Sequence, residues 1–134
     1  MEALCAAWAL VETDKENFDR YLTALDVPFM ARKAAGALKP DVIISKEGNV
    51  IKIRSESTFK NHELCFKLNE EFDEPTPDGR KTKTTVTLEN GVLVQRQKWN
   101  GKESTVTREV KDNQMVTTCI IGDIKAVRIF TKKN

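Results

Sequence analysis

The feature that most constrains this chain is a rhythm that begins after Pro40, where short β-prone runs alternate with turn signals at fairly even spacing. The turn signals are Glu47-Gly48-Asn49, Pro77-Asp78-Gly79, Glu89-Asn90-Gly91, Asn100-Gly101 and Gly122-Asp123. Asn-Gly pairs are strong hairpin markers, because a type I′ turn needs positive φ at both central residues. Residues 42–45, 50–56, 63–68, 83–88, 92–99, 104–110, 115–121 and 125–131 read as strands. With an apolar start around Trp8, Leu10 and Val11, they make about nine or ten antiparallel strands in up-and-down order. A chain of 134 residues cannot hide the edges of so many strands in an open sheet. Closure into a barrel is expected.

Before Pro40 the period changes. Phe18, Tyr21, Leu22 and Leu25 recur at three and four residues, which places them on one helical face. Thr13 to Glu16 has the spacing of a capping box at the start of that helix. Asp26-Val27-Pro28 ends it, and Pro28 suits the first turn of a second helix, where its missing N–H is not needed. That second helix is rich in Ala, with Phe29, Met30, Ala34 and Leu38 available for a buried side, and Lys39-Pro40 closes it. The reading is one domain over residues 1–134, with a helical hairpin at about 16–38.

Composition excludes several classes. Apolar residues make up 40% and charged residues 31%, a globular balance rather than a disordered one. A net charge of +2, spread along the chain, argues against a dedicated nucleic-acid binder. The longest apolar run, residues 3–11, is far short of the roughly 20 residues a bilayer needs. Glu2 stands where a signal peptide would carry positive charge. Cys5, Cys65 and Cys119 are widely spaced and odd in number, which fits reduced thiols in the cytosol.

Strand alternation singles out two arginines. Arg108 shares its face with Val106 and Val110, and Arg128 shares its face with Ile124, Ala126 and Phe130. Period two permits both to point inward, and two exterior arginines on a solvated barrel fit it equally. Inward guanidiniums cannot sit in a dry core, since unpaired buried charge is too costly. They require water or an anionic ligand inside.

The chain resembles the cytosolic fatty-acid-binding branch of the intracellular lipid-binding proteins, within the calycin superfamily. The matching segments run from Asn17-Phe18-Asp19, Ala31-Arg32-Lys33 and Lys39-Pro40 through Ser57-Thr58-Phe59-Lys60-Asn61 and Phe66-Lys67-Leu68. They continue in Glu71-Phe72-Asp73-Glu74, Asp78-Gly79-Arg80-Lys81, Val86-Thr87-Leu88, Gln97-Lys98-Trp99 with Gly101-Lys102-Glu103, and Val127-Arg128-Ile129. No single motif is decisive, but their order and spacing are together highly specific. The resemblance implies a mainly β fold, a ten-stranded antiparallel up-and-down β-barrel (β-clam) capped by a helix-turn-helix. It further implies a water-filled cavity that holds lipid, and it favours the inward arginines.

By that resemblance, Arg128 and Arg108 hold a fatty-acid carboxylate, and Phe130 occupies the position of a family tyrosine. Phe18, Leu22, Ala35, Pro40, Ser55, Asp78, Arg80 and Gln97 match cavity positions, and Phe59 matches an aromatic gate at the portal. Phe18 and Leu22 also suit the plainer task of seating the helix on the barrel. Asp78 and Arg80 equally suit a turn-associated ion pair. The chain departs from the family in Pro28, where glycine is frequent, and in a slightly longer spacing from Trp8 to Phe18.

The implied function is a cytosolic carrier of long-chain fatty acids for intracellular lipid transport. Alternatives are a carrier of retinoic acid or another carboxylate lipid, or a peripheral membrane-binding lipid protein. Retinol carriers of the family usually have glutamines where this chain has arginines. Arg32, Lys33 and Lys39 make the second helix basic, which suits transient contact with anionic membranes or an ordinary solvated face. No enzyme is expected: His62, the sole histidine, has no motif-level partner, and the cysteines lack metal spacing. The remaining expectations are no cofactor, no metal, no nucleic acid, a monomer, and a cytoplasmic location with the nucleus as a second compartment.

Overall fold

A computed structural model of the chain describes residues 1–58 and 61–133. Ten strands form one antiparallel sheet: β1 (Ala7–Thr13), β2 (Asp41–Glu47), β3 (Val50–Glu56), β4 (Asn61–Lys67), β5 (Phe72–Pro75), β6 (Lys81–Glu89), β7 (Val92–Trp99), β8 (Lys102–Lys111), β9 (Gln114–Ile121) and β10 (Ile124–Lys132). Their order, β4-β3-β2-β1-β10-β9-β8-β7-β6-β5, is up-and-down and curls into a nearly closed barrel. Among the described residues β4 and β5 share no ladder. Instead the rings of Phe66 on β4 and Phe72 on β5 stack across that seam, with centroids 5.5 Å apart. The expected β-clam is present, with β5 as the strand that turn spacing did not reveal.

The turns follow backbone chemistry. Asn90-Gly91 and Asn100-Gly101 have positive φ at both residues, as a type I′ hairpin requires. Asp112-Asn113 makes the same turn without glycine, using two residue types that tolerate left-handed backbone.

Between β1 and β2 lie α1 (Lys15–Ala24) and α2 (Phe29–Ala37). The N-cap of α1 is Asp14, not Thr13: its carboxylate accepts from the Asn17 backbone N–H at 3.3 Å and from Asn17 Nδ2 at 2.8 Å. Thr13 remains in β1. Phe18, Tyr21 and Leu22 bury one face of α1, as the periodicity requires. α2 differs from expectation. None of its residues is buried, and Phe29 and Met30 are 58% and 77% exposed. Its small residues Ala31, Ala34 and Ala35 turn toward the barrel instead, followed by Leu38.

Two apolar clusters fill the ends of the barrel. One gathers Trp8, Ile44, Ile51, Phe66, Leu93, Met115 and Phe130 around Leu4, whose carbonyl accepts from the Trp8 indole at 3.0 Å. The other joins Phe18, Tyr21, Leu22, Leu25 and Val27 of the cap region to Val106, Cys119 and Ala126. Arg108, Arg128, Thr117, Glu74, Gln95 and Gln97 belong to neither cluster.

Candidate functional site

Successive strands turn alternate side chains inward, so chemistry on one strand meets its neighbours through the register. Thr117 on β9 pairs with Arg108 on β8 and with Arg128 on β10. The row continues to Leu93 on β7 and Thr13 on β1. Two arginines therefore face one interior with a threonine between them. Both guanidiniums line a cavity of about 450 Å³, within the roughly 300–1,000 Å³ range of small-molecule sites.

Neither arginine has an ion-pair partner among the described residues. Arg108 donates to Gln95 Oε1 at 2.8 Å, and Arg128 Nε donates to Thr13 Oγ1 at 3.4 Å. The Arg128 guanidinium also lies over the Phe18 ring, 4.4 Å from its centroid, and 6.0 Å from that of Phe130. Burial pushes both arginines below their ordinary values, and the like charge of Arg108 lowers Arg128 further. Thr117 is 6% exposed, and its buried hydroxyl has no hydrogen-bond partner among the described residues.

Next to the arginines lies a buried polar network. Glu74, 3% exposed, accepts from Thr84 at 2.8 Å, from Gln95 at 3.0 and 3.1 Å, and from Gln97 at 3.0 Å. Gln97 Oε1 in turn accepts from Ser104 at 2.8 Å and Arg80 at 3.4 Å. Gln95 bridges Glu74 and Arg108, which do not pair directly. The free donors of Arg108 stay available to the cavity.

Asp78 and Arg80 both line the cavity and also form a bidentate pair at 2.6 and 3.0 Å. The Arg80 guanidinium stacks 4.4 Å from the Trp99 ring centroid. Burial alone would raise the Asp78 carboxyl, but the hydrogen bonds and charge of Arg80, with Thr76, hold it below its usual range. Phe18, Leu22, Ala35, Pro40, Ser55 and Gln97 line the same cavity, so the structure gathers them with the arginines. Phe130 lies apart from the lining, buried near Arg128 in the apolar cluster that holds Trp8 and Leu4. Phe59 falls outside the described residues.

Sequence reasoning did not assign Tyr21, His62, Glu74, Gln95, Ser104 or Thr117 to the interior site. Gln95 shares its strand face with Gln97, and Tyr21 shares the helical face of Phe18, so both carried a periodic signal. Tyr21 lines the cavity too, and burial raises its phenol above the ordinary value. Burial likewise raises the Cys119 thiol, with Arg128 and Arg108 partly opposing it.

An up-and-down barrel that encloses a cavity under a helical cap, with charged groups turned inward, defines an interior-binding carrier. Residues 8–133 match the model of the Lipocalin / cytosolic fatty-acid binding protein family, and the chain belongs to that family. It is 46% identical over 132 residues to human fatty acid-binding protein 9, covering 98% of each chain. Among solved structures, it superposes on Echinococcus granulosus fatty-acid-binding protein 1 with a TM-score of 0.95 at 36% identity, covering all of both chains. A Schistosoma mansoni fatty acid binding protein in complex with arachidonic acid gives 0.94 at 34% identity, over 100% of this chain and 98% of the other. These relatives are named as fatty-acid-binding proteins, and the family to which the chain belongs is one of binding proteins rather than enzymes.

Proposed function

We propose that this chain binds a long-chain fatty acid non-covalently inside the barrel and carries it through the cytoplasm. Relatives that are named for fatty-acid binding across the whole chain support this reading. The observation that carries it is the pair Arg108 and Arg128, half-buried guanidiniums with no carboxylate partner among the described residues, in a cavity walled by Val42, Ile53 and Leu64. An unpaired buried charge is destabilising by several kcal/mol unless an anion or water meets it (on the order of 3–5 kcal/mol when a partner is removed). A fatty-acid carboxylate supplies the anion, with Arg128 as principal anchor, Arg108 beside it, and the Thr117 hydroxyl as a further donor between them. The acyl chain then gains about 0.8 kcal/mol for each CH₂ buried.

The test is displacement of a fluorescent fatty acid from delipidated protein by oleate, oleyl alcohol and all-trans-retinoic acid. Oleate is expected to compete well and oleyl alcohol poorly, because the alcohol brings no charge to the arginines. Equal competition by the alcohol removes the arginine anchor. Failure of every lipid to bind removes the carrier reading, and a preference for retinoic acid moves it to the retinoid alternative.

The cap supports a second step, transient loading and release at anionic membranes. Exposed Phe29 and Met30 sit beside Lys33, whose ammonium lies 5.3 Å from the Phe29 ring centroid. Lys39 is exposed as well. Arg32 is largely engaged inside the cap, bonded to Asp19 at 3.0 Å and to the Val27 carbonyl at 2.9 Å. Lys33 and Lys39 are therefore the stronger membrane contacts. Vesicle sedimentation should show binding at low salt that fades at high salt. A monomer active in cytoplasm and nucleus completes the proposal.

A further inference from the structure

The cavity contains a second unsatisfied polar atom, far from the arginines. His62 lines it from β4, and its buried Nε2 has no hydrogen-bond partner among the described residues. Strands β3, β2 and β1 intervene between β4 and Arg128 on β10. Four strand spacings amount to roughly 19 Å along the sheet, which puts His62 on a different wall from the anchor. Its register partner on β3, Ser55, lines the cavity beside it. Val42, Ile53 and Leu64 form an apolar wall next to this pair, and Ser57 also lines the cavity.

A buried ring nitrogen without a partner is costly, and an apolar side chain of similar size would have avoided that cost. Resting on the fatty-acid reading above, we propose that His62, with Ser55, is a second polar subsite that receives a hydroxyl on the acyl chain, remote from the carboxylate. The preferred ligand class is then hydroxylated long-chain fatty acids. A hydroxyl fits this site better than a keto or ether oxygen. Neutral imidazole carries one donor and one acceptor nitrogen, and a hydroxyl satisfies Nε2 in either tautomer. A keto oxygen satisfies only the tautomer protonated there.

The experiment is calorimetric titration of delipidated protein with stearate and with a set of hydroxystearates that differ in hydroxyl position. One position is expected to bind about three- to tenfold more tightly than stearate, the span of one net hydrogen bond. His62→Leu should abolish that preference while still binding stearate, which also shows that the variant is folded. His62→Gln, which keeps a donor and an acceptor, should retain part of it. If no hydroxystearate outbinds stearate on the parent protein, or if the preference survives in His62→Leu, the subsite is wrong. Failure of stearate itself to bind the parent protein instead overturns the underlying carrier reading.

Discussion

The guanidinium of Arg128 stands 4.4 Å from the centroid of the Phe18 ring. One residue comes from the last strand and the other from the first helix, so the proposed anchor and the cap meet at this contact. A cation over an aromatic face contributes about 0.5–2 kcal/mol. Removing a charge from water without a partner costs more than that. With one long hydrogen bond to Thr13 and no anion among the described residues, Arg128 is expected to sit at a net loss in the ligand-free protein, which a bound anion would reverse. Arg128→Gln should shift stability and affinity in opposite directions. Urea denaturation of delipidated protein should show a gain of about 1 kcal/mol or more. Oleate affinity should fall about 10- to 100-fold, as expected for lost charge-assisted hydrogen bonds. A destabilised ligand-free barrel with undiminished oleate binding would contradict this account.

Phe130 lies beside the same guanidinium, with its ring centroid 6.0 Å away. It is buried among apolar side chains and contributes no donor. Phe130→Tyr places a hydroxyl near Arg128 and tests whether the site gains from another donor. Oleate should bind up to about tenfold more tightly if the phenol reaches the carboxylate. Ligand-free stability should fall by about 1–3 kcal/mol where that hydroxyl finds no partner. Measuring both separates headgroup contact from simple repacking. A loss of stability with no gain in affinity would place the headgroup out of its reach.

The Asp78–Arg80 pair makes stability depend on acid. The Asp78 carboxyl is held below its ordinary range in the folded protein: burial, the largest single influence, raises it, but the hydrogen bonding and charge of Arg80 together with Thr76 outweigh burial. Its contribution is thus complete above the unfolded value of about 3.9 and is lost as pH falls through the depressed folded value. Asp78→Asn should be less stable than the parent protein at neutral pH, and the difference should shrink on acidification. Urea midpoints collected from neutral pH down to the acid limb read this directly. A gap between the two proteins that stays constant with pH would assign the effect to packing.

Much of this arrangement was legible in the chain, and the gaps have physical causes. Alternation placed Arg108 and Arg128 on the same faces as Val106 and Ala126, and those neighbours are buried. The three-and-four spacing from Phe18 to Leu25 gave the seated face of α1. β5 escaped because Phe72-Asp73-Glu74-Pro75 is short, acidic and ends in proline, and only pairing with β6 makes it a strand. Proline is tolerated there because β5 is an edge strand. Glu74 stood out only within a segment matched by resemblance, and its interior role stayed hidden, since its donors Gln95 and Gln97 lie 21 and 23 residues away. Thr13 matched a capping pattern, but its hydroxyl serves Arg128, 115 residues distant. Local pattern identifies a face; the partner across the barrel depends on register. α2 misled for the opposite reason, because Phe29 and Met30 are apolar yet point away from the barrel.

That exposed helix sets the last expectation, a kinetic one. α2 covers the cavity with Ala31, Ala34 and Ala35 and buries none of its own residues, so little packing holds it closed. Its start is fixed instead by Pro28, the N-cap residue, at φ −61°, directly after Asp26 in left-handed backbone at φ 65° and then Val27. Proline restricts the open as well as the closed cap, because its ring permits few backbone states in either. Pro28→Gly should widen the range of open conformations and speed exchange where cap opening limits the rate. Stopped-flow mixing of oleate with parent and variant should show a faster approach to equilibrium. The change in equilibrium affinity should be smaller, because the arginines and cavity walls are untouched. Exchange no faster than in the parent protein would remove Pro28, and the hinge between the helices, from control of loading.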